Sequence, residues 1–159
     1  MNRHFLHLII ATTFPLCAVT AKDLDDKVTA VAAEDADMKA AIAKARSLLP
    51  HFWQTVDAPK RGERGFALKV RITSGKDTEH FWLTPIERKD GKIFGVINNE
   101  PEKVKSVKLG QRIEVPELDI TDWLYIRENK MIGNYTVRAM FKTIPVAEAE
   151  ALKKRLGEP

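Results

Sequence analysis

Glu79 and His80 are adjacent in "DTEHFWLTPI", and Asp122 interrupts "ITDWLYI"; these are the groups able to do acid–base work. In an extended segment Ile120, Asp122, Leu124 and Ile126 share one face, and Trp123 and Tyr125 share the other. A carboxylate in so apolar a strand must be hydrogen-bonded or paired, because burying it bare is costly. His80, Arg138 and the backbone N–H groups of a neighbouring turn are its candidate partners. In a pocket Asp122 would be a tuned acid or base. With Glu79 and His80 it would then serve a hydrolase of cell-wall glycan or of a small ester or amide. The structural alternative is an aspartate that ties a strand to a turn.

Other chemistries find little support. Once the N-terminal leader described below is removed, His51 and His80 are the only histidines. They lack the close ligand spacing of a zinc site, so no metal is expected. Ser47, Ser74 and Ser106 sit outside any Gly-x-Ser-x-Gly turn, and no glycine loop is built to cradle phosphates. No cofactor is implied. Binding is better served: Trp82, Trp123 and Tyr135 supply aromatic anchors, Arg138 a cation, and Asn99 and Glu100 a polar loop stiffened by Pro101.

The start of the chain carries an address. Arg3 precedes an apolar run from Phe5 to Leu16, and Val19-Thr20-Ala21 places small residues where a signal peptidase reads. The run is shorter than the roughly 20 residues that span a bilayer, so an integral membrane protein is not expected. Cleavage after Ala21 would export the chain, most simply to the periplasm, and would remove Cys17, the one cysteine. It would also remove Arg3 and lower the formal charge from +4 to +3. The remaining basic clusters, "KRGER" and "EKVKSVKLGQR", would suggest nucleic acid in a cytoplasmic protein. Behind a signal peptide they favour an acidic protein or an anionic envelope polymer.

The elements that must position these residues follow from periodicity. Residues 22–33 form an N-terminal segment with a short strand at Lys27–Val31, and residues 34–159 a single domain. Asp35 caps a helix whose apolar stripe is Met38, Ile42, Ala45, Leu49 and Phe52, ended or kinked by Pro50. The period then becomes two. Phe66, Leu68, Val70 and Ile72 alternate with Ala67, Lys69, Arg71 and Thr73. Strands follow at Glu79–Glu87, "KIFGVIN" after an Asp-Gly turn, "KLGQRIEVP" and "ITDWLYI". Gly133-Asn134 turns the chain into a helix with Val137, Met140, Phe141 and Ile144 inward and Thr136 as a cap. Pro145 starts another, carrying Val146, Ala149, Leu152 and Leu156. The expectation is an α+β domain: an antiparallel meander of about five strands with an N-terminal amphipathic helix and C-terminal helices packed on it.

The triplet His-Phe-Trp occurs at His51–Trp53 and again at His80–Trp82. The first copy is expected at a helix end and the second in a strand, so the two cannot be equivalent halves of one site.

Several motifs in combination resemble the YegJ-like family of bacterial domains of unknown function. They are Glu79-His80-Phe81-Trp82, Asn99-Glu100-Pro101, Gly110, Asp122-Trp123 and Gly133-Asn134-Tyr135-Thr136-x-Arg138. The likeness runs from about Glu34 to Met140 and implies one intact domain, without assigning an activity. The sequence favours a non-enzymatic binding protein of the envelope, such as an inhibitor or immunity-like protein that blocks a hydrolase or toxin. The alternatives are the hydrolase above and a glycan or anionic-polymer binder using Trp82, Trp123 and Arg138.

Overall fold

A computed structural model gives the fold and describes residues 36–159. The leader, the strand expected at Lys27–Val31 and the cap expected at Asp35 lie outside the described residues. The first helix, α1 (Ala36–Ser47), buries Met38 and Ala45 as its stripe requires. Pro50 then divides the helical stretch. Its ring cannot continue a helix interior, but its missing N–H costs nothing in a first turn. The chain therefore bends at Leu48 and α2 (Leu49–Asp57) begins with Pro50 in its opening turn. His51-Phe52-Trp53 opens this second helix and does not close the first, with Phe52 and Trp53 both buried.

The five expected strands are β1 (Arg64–Ser74), β2 (Asp77–Lys89), β3 (Lys92–Ile97), β4 (Arg112–Val115) and β5 (Ile120–Arg127). Two short ones complete the sheet: β6 (Lys130–Gly133) and β7 (Leu156–Gly157). Glu128 and Asn129 have φ of 49° and 61°, and Arg127 pairs with Lys130. That is the two-residue hairpin with both central residues left-handed, here without the glycine that usually announces it. Leu156 leaves the last helix and pairs in parallel with Met131.

The sheet order is β4-β3-β2-β1-β5-β6-β7. The first four strands form the expected meander, but β5 crosses back to pair with β1. A 3-10 turn (Glu117–Asp119) leads into that crossing, and Arg46 of α1 holds it by donating to the Leu118 and Ile120 carbonyls at 2.5 and 2.8 Å. After β6 the chain forms α3 (Tyr135–Ala139), a 3-10 turn (Met140–Lys142) and α4 (Val146–Arg155).

One sheet face carries the main core. Leu68, Val70, Phe81, Leu83, Trp123 and Tyr125 lie on it, all but sealed from solvent. The Phe52 ring sits 5.1 Å from Trp123, whose indole N–H donates to the Ala45 carbonyl at 2.8 Å. The loop 98–111 extends the cover by inserting Val104 into the same core. The opposite face carries Lys69 and Arg71 of β1, paired with Trp82 and His80 of β2.

Gly133 marks the tightest approach. Its φ is +86°, and a Cβ there would meet the Trp123 carbonyl and lie 2.6 Å from the Trp123 ring. Both the left-handed backbone and the missing side chain are required for β6 to reach β5. Gly133→Ala should therefore lower unfolding free energy by at least about 3 kcal/mol in urea titrations; an unchanged midpoint would refute this account.

Candidate functional site

Asp122 lies fully buried on β5, in register with Lys69. Of its anticipated partners, the backbone amides take the role. Oδ1 accepts from the Trp123 and Tyr135 amides at 2.9 and 3.1 Å, and Oδ2 from the Thr136 amide and hydroxyl, each at 2.7 Å. The sequence explains why. Asn134 precedes α3 in a left-handed conformation and makes no side-chain cap, so the first helical amides would be orphaned. Asp122 caps them from the neighbouring strand, and Thr136 is a donor to that cap instead of being the cap itself. Burial pushes the Asp122 carboxyl above the ordinary aspartate value, and the Thr136 donors, Lys69 and the Trp123 amide only partly offset it.

Glu79 solves the same problem elsewhere. Its carboxylate, 4% exposed, accepts from the amides of Glu102, Lys103 and Val104 at 3.0 to 3.2 Å. Burial raises its pKa, but the amides of Glu102, Val104 and Lys103, with Lys105, outweigh this and hold it below the ordinary glutamate value. Asn99 completes the attachment of the loop, its buried Oδ1 accepting from the Trp82 amide at 2.9 Å.

The anticipated acid–base trio does not converge. Glu79 pairs with Ile72 on the core face, whereas Asp122 and His80 pair with Lys69 and Arg71 on the other. The sheet thus stands between the two carboxylates, which cannot flank a glycosidic bond as paired catalytic carboxylates do. Burial, then Lys69 and Arg71, lower the His80 pKa to about 4, leaving a neutral imidazole at neutral pH. The other histidine among the described residues, His51, packs 6.5 Å from Trp123 on the opposite side. Among the described residues no group of three or more His, Cys, Asp or Glu side chains is placed to hold a metal.

The expected binding residues divide by exposure. Trp123 is fully buried and Tyr135 is 7% exposed. Burial, followed by Glu158, pushes the Tyr135 phenol up to about 12. Arg138 is half-buried and clamps the C-terminus, donating to the Gly157 carbonyl and to Glu158 at 2.6 and 2.7 Å. Tyr135 and Arg138 share a groove of about 320 Å³ with Ala40, Ala41 and Lys44 of α1. Trp82 is half-buried and Glu100 exposed.

Sequence reasoning missed Lys69, which is 1% exposed, with its ammonium 5.4 Å from the Trp82 ring centroid and its strand position between Trp82 and Asp122. In "ALKVRI" it reads as an ordinary outward lysine. Only the pairing of three strands reveals its burial. A cleft of about 400 Å³, walled by Val70, Ile72, Val107, Ile113 and Val115, was equally invisible because its walls come from β1, β4 and the loop 98–111. None of Asp122, Glu79 and His80 lines it.

The architecture is that of an α+β domain in which one buried carboxylate caps a helix and another anchors a long loop. The chain belongs to the family described as an uncharacterized protein conserved in bacteria (DUF2314), whose family model matches residues 35–158. It is 38% identical to the uncharacterized protein YegJ of Escherichia coli over 119 residues, covering 75% of this chain and 76% of that protein. It is 29% identical over 125 residues to a putative ankyrin repeat protein of Neisseria meningitidis, covering 73% of this chain and 49% of that one. No solved structure gave a significant match. No helix among the described residues is long and apolar enough to cross a membrane.

Two substitutions test these roles. Asp122→Ala would strip acceptors from three buried amides and should cost about 3 kcal/mol or more in denaturant unfolding; a loss below about 1 kcal/mol would show that the cap is dispensable. Glu79→Gln should lower the hydrogen-exchange protection of the Glu102, Lys103 and Val104 amides at least about tenfold while sparing β1. Because the folded pKa of Glu79 is depressed, its contribution is complete above the ordinary glutamate value and is lost as pH falls through the lower folded value. Acid should therefore reproduce the Glu79→Gln pattern, and uniform protection across the loop in acid would contradict it.

Proposed function

We propose that the chain is an exported, non-enzymatic binding domain of the bacterial envelope that meets a protein partner through the loop 98–111. The observation that carries this reading is the anchoring of that loop. Irregular segments longer than about 12 residues are uncommon in compact domains and are usually functional. This one joins β3 to β4 without a helix or strand of its own, yet Glu79 and Asn99 secure it from beneath. A loop ordered before it meets a partner loses less conformational entropy on binding. The surface it presents is exposed and mainly basic: Lys103, Lys105 and Lys108 outnumber Glu100 and Glu102. This favours an acidic partner and speeds encounter.

The relative named as a putative ankyrin repeat protein adds support, since ankyrin arrays stack into extended binding surfaces. Export rests on Arg3, the apolar run that follows it and the small residues ending at Ala21.

The test joins address to binding. Protein expressed with a C-terminal tag from the full coding sequence in a Gram-negative host should appear in the periplasmic fraction, beginning at Lys22 by mass spectrometry. Immobilised, it should retain a discrete envelope protein in near-stoichiometric amount. A Lys103→Glu variant with an unchanged circular dichroism spectrum should bind that protein at least about tenfold more weakly. Retention of nothing, or equal retention by the variant, would overturn the reading.

A further inference from the structure

The β4 edge is complementary to itself. Among the described residues β4 ends the sheet and has a neighbour on one side only, β3. Gly95 opposes Ile113 and Ile93 opposes Val115, while the Ile97 amide donates to Gln111. By the alternation of an antiparallel ladder, Ile113 and Val115 turn their peptide groups toward β3. Arg112 and Glu114 therefore turn their N–H and C=O groups to the free edge. Their side chains are both about half exposed, at 51%, and carry opposite charge two residues apart.

We propose that two copies of the chain pair antiparallel through β4 about a two-fold axis at Ile113. In that register Arg112 faces the partner's Glu114, Glu114 faces the partner's Arg112, and each such pair exchanges both backbone hydrogen bonds. Opposite charges directly across an antiparallel pair are stabilising, and like charges are the reverse. The flanks agree with the same axis. Leu109, in the turn before β4, and Leu118, in the 3-10 turn after it, are 48% and 79% exposed and flank opposite ends of the strand, so an antiparallel partner brings each toward the other chain's counterpart. Lys108 precedes β4 at the same end that receives the partner's Glu117 and the partner's Asp119. The pairing thus brings two of the most exposed large apolar side chains of the described chain to the subunit boundary, with the basic end of the loop on the side of the partner's acidic 3-10 turn. The outcome is one sheet continuous across two subunits. Arg112 also pairs with Glu87 at 3.0 Å, and Lys92 with Glu114 at 2.9 Å, so each chain brings its edge charges already ordered.

The test is light scattering on size-exclusion-purified full-length protein over a wide concentration range, expected to show a reversible rise from one to two chain masses. Arg112→Glu and Glu114→Arg, each placing like charges across both symmetry-related pairs, should each raise the dimer dissociation constant at least about tenfold. The double exchange Arg112→Glu/Glu114→Arg should return it to within about threefold of the original, a recovery that damage to intrachain pairs would not produce. A second measurement does not depend on those charges. Ile113→Cys combined with Cys17→Ser leaves one thiol, and a pair across the axis has Cα atoms about 4.5 Å apart, within disulfide reach. Mild oxidation should link most of this variant but not a Lys76→Cys/Cys17→Ser control. A single-chain mass at every concentration, charge variants that dimerise like the original, or no preferential linkage at position 113 would each overturn the proposal.

Discussion

Backbone amides that lack secondary-structure partners, and the two buried carboxylates that supply acceptors to them, govern this domain. Leaving an amide orphaned in the interior costs roughly 1–3 kcal/mol, a large share of a domain's net stability. At one place β6 ends at Gly133, opposite Leu124, and the chain must turn out of the sheet into α3. Where the ladder stops, Asp122 takes over as acceptor, so that the side chain of one strand finishes what a neighbouring strand would have done. At the other place a long loop folds back over the core and Glu79 holds three successive amides. The start of α3 and the course of the loop 98–111 depend on these two acceptors.

This arrangement also limits what the polar residues are free to do. A carboxylate whose oxygens are taken up by amides is poorly placed to shuttle protons, and the two carboxylates here are separated by the sheet. Trp123, the residue best suited to anchor a partner by composition, instead anchors α1 through Ala45 and packs on Phe52. The polar and aromatic groups that remain accessible are those that the scaffold pushes outward: the loop's charged side chains, the half-buried Trp82 and the edge charges of β4. A domain of this kind devotes its most distinctive residues to holding a surface in place, and the surface itself is made of common ones.

Local periodicity made much of the fold legible. The stripe of α1, the alternation of β1 and the Asp-Gly turn before β3 each arise from interactions within a few residues, and each element stands where its pattern lies. The exceptions share a cause. β7 has two residues and no pattern of its own, so it exists only because β6 lies beside it. The β6 hairpin lacks a glycine at its left-handed positions, which removed its usual local sign. Leu156 fits the apolar spacing of α4, yet pairing with Met131 draws it out of the helix.

The candidate site divides along the same line. That Asp122 had to be satisfied was determined by the sequence alone, since an acid between Ile120 and Leu124 in a two-sided apolar strand has no other stable state. Which donors satisfy it, and whether Glu79 and His80 stand near it, was decided only by the tertiary structure. Strand alternation settles which residues share a face within one strand, but not how that face is oriented against the next strand or what covers it. Those relations depend on pairing across long separations: β1 with β5, and Glu79 with the amides of residues 102–104. Lys69 shows the difference most plainly, exposed by its pattern and buried by its neighbours.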